Sequence, residues 1–295
     1  MITTVIGDLM QSTARVLVNP VNTVGVMGKG LAYDFKRCFP VMYSTYKDLC
    51  DSGDFTIGRL MLYRTPHKWV LNFPTKQHWR ANSRLEDIET GLQHFVATYA
   101  EQGITSASFP RLGCGAGGLD WETEVRPLME TYLGPLPITI YIHNYDENDP
   151  LTPDDRSIRT LKNWLDGQPQ PIGYGRFWRD LSRYVKANNV QHTLDGETRF
   201  SVGRDLRRRG RDLALVVSGV PQPLFISESQ LLDLWTYIRS AGYALPTGFP
   251  GGLDAHADLI IAMLDGMDYL RPVHLLGDDN VPYVGLHYIP PTIRV

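Results

Sequence analysis

Short runs of branched apolar residues alternate along the first half of the chain with stretches whose apolar positions recur every three or four residues. The runs Thr3 to Ile6 and Arg15 to Val18 read as strands. Gly30 to Phe39 reads as a helix closed before Pro40, and Val41 to Asp51 as a second helix ended near Gly53. Arg59 to Tyr63 and Trp69 to Phe73 read as adjacent strands. Ser83-Arg84-Leu85-Glu86 has the form of a capping box with Ser83 as N-cap. It opens a helix whose Leu85, Ile88, Leu92 and Phe95 share one face and are assigned to the core. Ser106 to Phe109 is a short strand and Ile138 to His143 a buried one. Trp121 to Leu133 is helical, with Pro127 required to sit early or to kink it. Strands alternating with helices predict a three-layer α/β arrangement, in which ligands bind beyond the C-terminal strand ends.

A boundary is expected in Asp146 to Asp155, rich in acids and proline. A short helix over Ser157 to Leu165 follows, and Gly167 to Gly173 reads as a linker. The organisation predicted is a first domain over 1–150, helix and linker over 151–173, and a second, smaller domain over 174–295. In that domain Arg176 to Lys186, Ser229 to Ala241 and Leu253 to Leu264 read as helices and Leu213 to Val217 as a buried strand. Tyr283 to Val295 is expected to be extended, and the whole to be mixed α/β or α+β.

A length of 295 residues fits two domains, and 43% hydrophobic with 21% charged residues is ordinary for a globular protein. A net charge of -3 gives no global field toward nucleic acid or membrane. No apolar run approaches the roughly 20 residues that span a bilayer, and the start shows no signal pattern. Three sparse cysteines, Cys38, Cys50 and Cys114, suit free thiols in a reducing cytoplasm. The histidines are scattered, so no metal site and no cofactor is expected. His192 and His256 are read as ordinary surface or core residues, and Trp178 and Trp235 as core. The basic run Arg204, Arg207, Arg208, Arg209 and Arg211 is diluted by Asp205 and Asp212 and reads as a solvated face.

Chemistry concentrates in three places, each after a predicted strand. Leu71-Asn72-Phe73-Pro74-Thr75-Lys76 puts a lone lysine on a turn; such a lysine can pair with phosphate, attack an anomeric carbon as a neutral amine, or simply be solvated. Gly25-Val26-Met27-Gly28-Lys29-Gly30 precedes a helix, so its backbone N–H groups can approach phosphate at a helix N-terminus. Its spacing matches neither the dinucleotide nor the P-loop fingerprint. Gly113-Cys114-Gly115-Ala116-Gly117-Gly118 holds four glycines in six residues, a density that favours an anion cradle over a plain turn. Together they suggest a pocket for a phosphorylated sugar nucleotide. Asp8, after the first strand, can accept from an exocyclic amine or serve a turn. Asn19-Pro20-Val21-Asn22 can present two amides to ribose hydroxyls, or be a turn.

Gly7-Asp8-Leu9, Asn19-Pro20-Val21-Asn22 and the two glycine loops, in this order, resemble the macrodomain family, whose three-layer α/β/α fold with a mixed central sheet binds ADP-ribose. The resemblance covers about residues 1 to 150. Within the family, Asn72-Phe73-Pro74-Thr75-Lys76-Gln77-His78-Trp79-Arg80 and Gly117-Gly118-Leu119-Asp120-Trp121 look most like the lysine-using branch of DarG-type DNA ADP-ribosyl glycohydrolases. The resemblance implies that Lys76 is catalytic and that Asp8 holds adenine beside Leu9, with Tyr145 a stacking candidate. Asn19 and Asn22 would lie near the distal ribose. Gly25, Val26, Met27, Gly28 and Gly30 would wrap the diphosphate and ribose with Thr75 beside them. Gly113, Cys114, Gly115, Ala116, Gly117 and Gly118 would bind phosphate. Animal terminal ADP-ribose glycohydrolases carry an aspartate where this chain has Gly117, so the arrangement without a loop carboxylate is expected. The implied activity is removal of ADP-ribose from thymidine in DNA, against a cognate ADP-ribosyltransferase toxin. The alternatives are removal from acidic protein residues, or a non-catalytic reader whose C-terminal domain binds a protein partner.

Overall fold

In the computed structural model, residues 2–152, 157–204, 211–277 and 281–293 are described. The chain forms two compact units. One comprises Met1–Gln168 with Leu276–Asn280 and Thr292–Val295, and the other Pro169–Leu275 with Val281–Pro291.

The first unit is built on strands β1 (Ile2–Ile6), β2 (Val16–Asn22), β3 (Met61–Arg64), β4 (Trp69–Lys76), β5 (Ser106–Pro110) and β6 (Thr139–Asn144). Their order is β1-β6-β5-β2-β4-β3. All neighbours run parallel except β3, which pairs antiparallel with β4 at the edge. Five helices cover this sheet: α1 (Gly30–Cys38), α2 (Pro40–Asp51), α3 (Leu85–Thr98), α4 (Arg126–Leu133) and α5 (Ile158–Asp166). Alternation along the strands decides which face each helix covers. Val16, Val18, Leu71 and Phe73 point into a core with Ile88, Leu92 and Phe95 of α3 and Met129 and Leu133 of α4. Leu17 and Val70 point the other way, toward Phe35 of α1, Met42 and Tyr46 of α2, and Leu161 and Leu165 of α5. The result is the expected three layers.

Several local readings are corrected. β2 does not stop at Val18 but runs through Asn19-Pro20-Val21-Asn22, which is strand rather than turn. Its ladder with β5 pairs only Val16 and Leu17, so on that side Pro20 leaves no ladder partner without a donor. Lys76 ends β4 instead of sitting on a turn. The N-cap of α3 is Arg84, not Ser83. Ser83 is drawn under the second glycine loop, where its N–H donates to the Gly117 carbonyl at 2.9 Å. Pro127 sits in the first turn of α4, after a π-turn over Trp121–Val125 capped by Asp120. The helix read at 157–165 is α5, capped by the Ser157 hydroxyl, and its Leu161 and Leu165 lie in a core with Phe35 of α1.

Lys68, at the start of the β4 hairpin arm, is buried. Its Nζ donates to the carbonyls of Ser12 at 2.6 Å and Ala14 at 2.7 Å, tying the β1–β2 connection to the edge of β4. Burial, with the neighbouring charge of Arg15, pushes its ammonium down to about 7.

After the two-residue β7 (Gln168–Pro169), the second unit contains α6 (Tyr174–Ala187), β8 (Val190–His192), β9 (Arg199–Arg204), β10 (Leu213–Val217), β11 (Leu224–Ile226), α7 (Glu228–Ala241), β12 (Tyr243–Ala244), α8 (Ala257–Leu264), β13 (Leu270–Leu276) and β14 (Pro282–Tyr288). β8 to β11 form an antiparallel meander, and β12 pairs antiparallel with β14. Its core centres on Trp235, whose ring stacks on Phe177 at 4.4 Å between centroids. The Trp235 indole N–H donates to the Ile172 carbonyl at 3.1 Å, so the end of the expected linker is anchored in this core. Trp178 is buried in the same core, while His192 and His256 are exposed. Of the basic run, Arg207, Arg208 and Arg209 lie outside the described residues; Arg211 pairs with Glu228 at 3.3 Å. Among the described residues no helix is long and apolar enough to cross a membrane.

Candidate functional site

β2 and β4 end together, with Asn22 in register with Lys76 across a bulge at Val21 and Asn22. Beyond them open two cavities, of about 650 Å³ and about 440 Å³. Both are lined by Pro20, Lys29, Ala32, Thr75, Lys76 and Ala116, which form the seam between them. The larger adds Asn22, Val26, Gly28, Trp79 and Arg80, among others. The smaller adds Gly30, Ser83, Arg111, Gly113, Gly115 and Gly117. Lys29, Lys76, Arg80 and Arg111 line this space, and among the described residues no carboxylate does. In a chain of net charge -3, that local excess marks a site for an anion.

Lys76 sits at the seam. Its Nζ donates to the Ala116 carbonyl at 2.8 Å and to the Ala81 carbonyl at 3.2 Å. Partial burial and the nearby Lys29 lower its pKa from the ordinary lysine value. A neutral amine has two N–H donors and one lone pair. With both donors taken by the carbonyls, its lone pair is left for an electrophile. As an ammonium it keeps a third N–H for a developing negative charge.

The first glycine loop is held by Asn22. Its Oδ1 accepts from the N–H of Val24 at 3.1 Å and of Val26 at 3.2 Å, and its Nδ2 donates to the Val26 carbonyl at 2.6 Å. Tyr46 supports the turn with a 2.6 Å bond to the Asn22 carbonyl. α1 then starts at Gly30 with no side-chain cap from Lys29, and Gly30 and Leu31 line the smaller cavity, so that the uncapped first turn stands at its edge. In the second loop the glycines differ in purpose. A Cβ on Gly115 would meet nothing within 4 Å, whereas one on Gly117 would lie 2.2 Å from the Ser83 hydroxyl and 2.3 Å from the Gly113 carbonyl. Gly113 has a φ of +73°, and a Cβ there would lie 2.8 Å from Leu119 Cδ1 and 3.0 Å from Ser83 Cβ. Gly115 is thus open to a ligand, while Gly113 and Gly117 fold the loop upon itself.

Of the expected site residues, Lys76, Thr75, Asn22, Val26, Gly28, Gly30, Gly113, Gly115, Ala116 and Gly117 line the two cavities. Others do not. Asn19 is fully buried and its amide donates to Asn72 Oδ1 at 2.8 Å, so it braces β2 against β4 and cannot reach a ligand. Met27 and Leu9 are core residues, buried for apolar packing. Asp8 caps a 3₁₀ turn, its Oδ1 accepting from the Met10 N–H at 2.9 Å. Gly25 makes the left-handed turn of the first loop at φ +76°. Cys114 is half-buried, and desolvation pushes its thiol up to about 11, far from a reactive thiolate. Gly118 serves the turn at φ +77°. Tyr145 is exposed past β6 and lines neither cavity. Lys29, Trp79, Arg80, Ser83 and Arg111 line the cavities without having been singled out as ligand residues. For Lys29, Trp79 and Arg80 the available signal was position, within or beside runs already marked. Among the described residues no three His, Cys, Asp or Glu side chains gather as a metal site would need.

Residues 18–128 match the family model of the Macro domain. The chain is 44% identical over 136 residues to the DNA ADP-ribosyl glycohydrolase of Mycobacterium tuberculosis, covering 45% of this chain and 39% of that protein. It is 39% identical over 156 residues to a DNA ADP-ribosyl transferase-DNA ADP-ribosyl glycohydrolase fusion protein of Thermosipho africanus, covering 46% of this chain and 40% of that one. The solved macrodomain of Mycobacterium tuberculosis DarG is 42% identical, with a TM-score of 0.47, 48% of this chain and 97% of that chain being covered. The chain spans about two fifths of the length of the curated relatives it matches.

Proposed function

We propose, from the premise of a Macro domain over residues 18–128, that this chain is an ADP-ribosyl glycohydrolase that removes ADP-ribose from a modified base in DNA. The observation that carries the reading is the position of Lys76 Nζ at the seam of two cation-lined cavities, with its pKa lowered. The smaller cavity takes the diphosphate, on Gly115, the N-terminus of α1 and Arg111. The anomeric carbon of the distal ribose then lies at the seam beside Lys76. As a neutral amine, Lys76 forms a bond to that carbon while the bond to the base breaks. The base leaves with the electron pair and takes a proton, and water later displaces the lysine. As an ammonium, Lys76 instead stabilises the departing base, and water attacks directly. Asp8 and Tyr145 are assigned to the adenine end and its approach, and Gly118 to the turn of the phosphate-binding loop, all three outside both cavities.

The DNA acceptor is supported by the named activity of the Mycobacterium tuberculosis relative, and a transferase toxin as counterpart by the Thermosipho africanus fusion protein. The free cysteines suit work in the cytoplasm. The test is incubation with ADP-ribosylated DNA and ADP-ribosylated protein in parallel, scoring free ADP-ribose. Release from DNA is expected. Release from neither substrate would sink the hydrolase, and release from protein alone would reassign the acceptor.

A further inference from the structure

Of the residues that line both cavities, Lys29 and Lys76 are the two that carry charge, and no step above uses Lys29. Lys29 stands at the N-cap of α1 in extended backbone, at φ -155° and ψ 167°. Gly30 follows at φ +57°, and a Cβ on it would meet nothing within 4 Å. Glycine is therefore there for its left-handed turn, which sets the direction in which α1 leaves Lys29. The other charges on the walls are Arg80, from the segment after β4, and Arg111, from the end of β5. Among the described residues no carboxylate lines either cavity. The two carbonyls that hold Lys76 Nζ favour its ammonium form, so something must oppose them before the amine can form. Burial opposes them, and so does the charge of Lys29.

We propose that Lys29 is a positioning residue that keeps Lys76 in its amine form and so makes it a nucleophile. This rests on the glycohydrolase reading of the same site. Two ammonium groups that face one space repel each other, and the repulsion is relieved when one of them gives its proton to solvent. Lys76 is the one that gives it up. Its Nζ is partly buried and pinned by the Ala81 and Ala116 carbonyls, whereas Lys29 is exposed and keeps its hydration. Arg80 and Arg111 add charge of the same sign from the two walls. The covalent step stays as given above: Nζ bonds to the anomeric carbon while the base leaves with the electron pair and takes a proton. Lys29 makes and breaks no bond in it. Because Lys29 is exposed, its influence is modest and weakens with salt.

The test uses the full chain as wild type, Lys29→Gln and Lys29→Arg, with two readouts taken across pH. One is the rate at which trace acetic anhydride labels Lys76 Nζ, followed by mass spectrometry, which reports the amine fraction without any turnover. The other is kcat/KM on an ADP-ribosylated oligonucleotide, which reports the protonation of the free enzyme. Lys29→Gln removes a like charge, so the acid limb of both curves should move to higher pH. On that limb kcat/KM should fall by about three- to tenfold, and the gap to wild type should narrow as pH rises. Lys29→Arg keeps the charge and should follow the wild type in both readouts. An unmoved labelling curve in Lys29→Gln would overturn the proposal. So would a loss of kcat/KM by the same factor at every pH, which would mean that Lys29 only holds substrate. A labelling curve that moves while the kcat/KM profile does not would overturn it too, since Lys76 would then not react as an amine. A labelling shift in a wild-type chain that releases no ADP-ribose would support the coupling of the two lysines and refute the hydrolase.

Discussion

In the proposed reaction Lys76 acts through one nitrogen, and its surroundings let the two roles proposed for it be told apart. Lys76→Ala should abolish glycohydrolase turnover, a loss of at least about a hundredfold. It should leave ADP-ribose affinity within about tenfold, or about 1.4 kcal/mol, because the backbone groups of both loops stay in place. Lys76→Arg keeps the charge but has no neutral form at workable pH. An inactive arginine variant, with a wild-type rate that climbs as pH rises toward the lowered lysine pKa, indicates attack by the amine. An active arginine variant indicates charge stabilisation. Gly115 gives the complementary test. With no atom within 4 Å of its added Cβ, Gly115→Glu should fold with an unchanged melting curve and lose ADP-ribose binding through like charge and bulk. Unchanged affinity by calorimetry would remove this loop from the phosphate site. The density of glycine at 113–118 was legible in the sequence as one signal, but it has two causes. Gly115 leaves space for a ligand, whereas Gly113 and Gly117 make room for Ser83. A sequence shows how many glycines there are and not which neighbour each one clears.

At the level of elements, α3 packs tightly on β4 at Gly91. A Cβ on Gly91 would lie 2.2 Å from Cζ and 2.5 Å from Cε1 of Phe73, three residues before Lys76. Gly91→Ala should therefore act as overpacking, destabilising by about 1–3 kcal/mol and lowering the melting temperature, even though alanine favours a helix more than glycine does. Turnover should fall as the end of β4 shifts. A melting temperature raised by the substitution would show that α3 has room to move. Helices and strands with clear periodicity were legible to within a few residues, as for β10 over Leu213–Val217 and α7 over Glu228–Ala241. The failures are contextual. Pro20 reads as a strand end, yet β2 continues because β5 has already parted from it. Ser83 reads as a cap, yet its N–H is claimed by Gly117, far along the chain. The asparagines read as ligand groups, yet Asn19 holds Asn72, and Asn22 spends its amide on its own loop. Long-range partners of this kind leave no local pattern.

For the molecule as a whole, the boundary decides what can be studied alone. Leu161 and Leu165 of α5 are each 1% exposed in the same core as Phe35 of α1. A fragment ending at 155 deletes both, giving up burial worth about 1.5–3 kcal/mol for each side chain. A fragment 1–168 should thus melt cooperatively and at a higher temperature than 1–155, and bind ADP-ribose near 1:1 by calorimetry. Equal melting of the two fragments would place α5 outside the folding unit. The acids and prolines near 146–155 read as a domain end, and a sequence reading cannot see that α5 beyond them packs in the same core as α1. The second unit was harder to read. Its strands are as short as the two residues of β12 and the three of β8 and β11, and no glycine motif announces a site.

The contact between Ser83 and Gly117 also bears on what position 117 can hold. A carboxylate there is excluded by the loop as it is folded. The new side chain would meet a serine hydroxyl and, behind it, a main-chain carbonyl that no substitution removes. Reaching the loop-aspartate design of the animal enzymes requires the turn itself to take another path, with Ser83 withdrawn in the same step. The loop as folded here therefore leaves no room for a side chain at position 117.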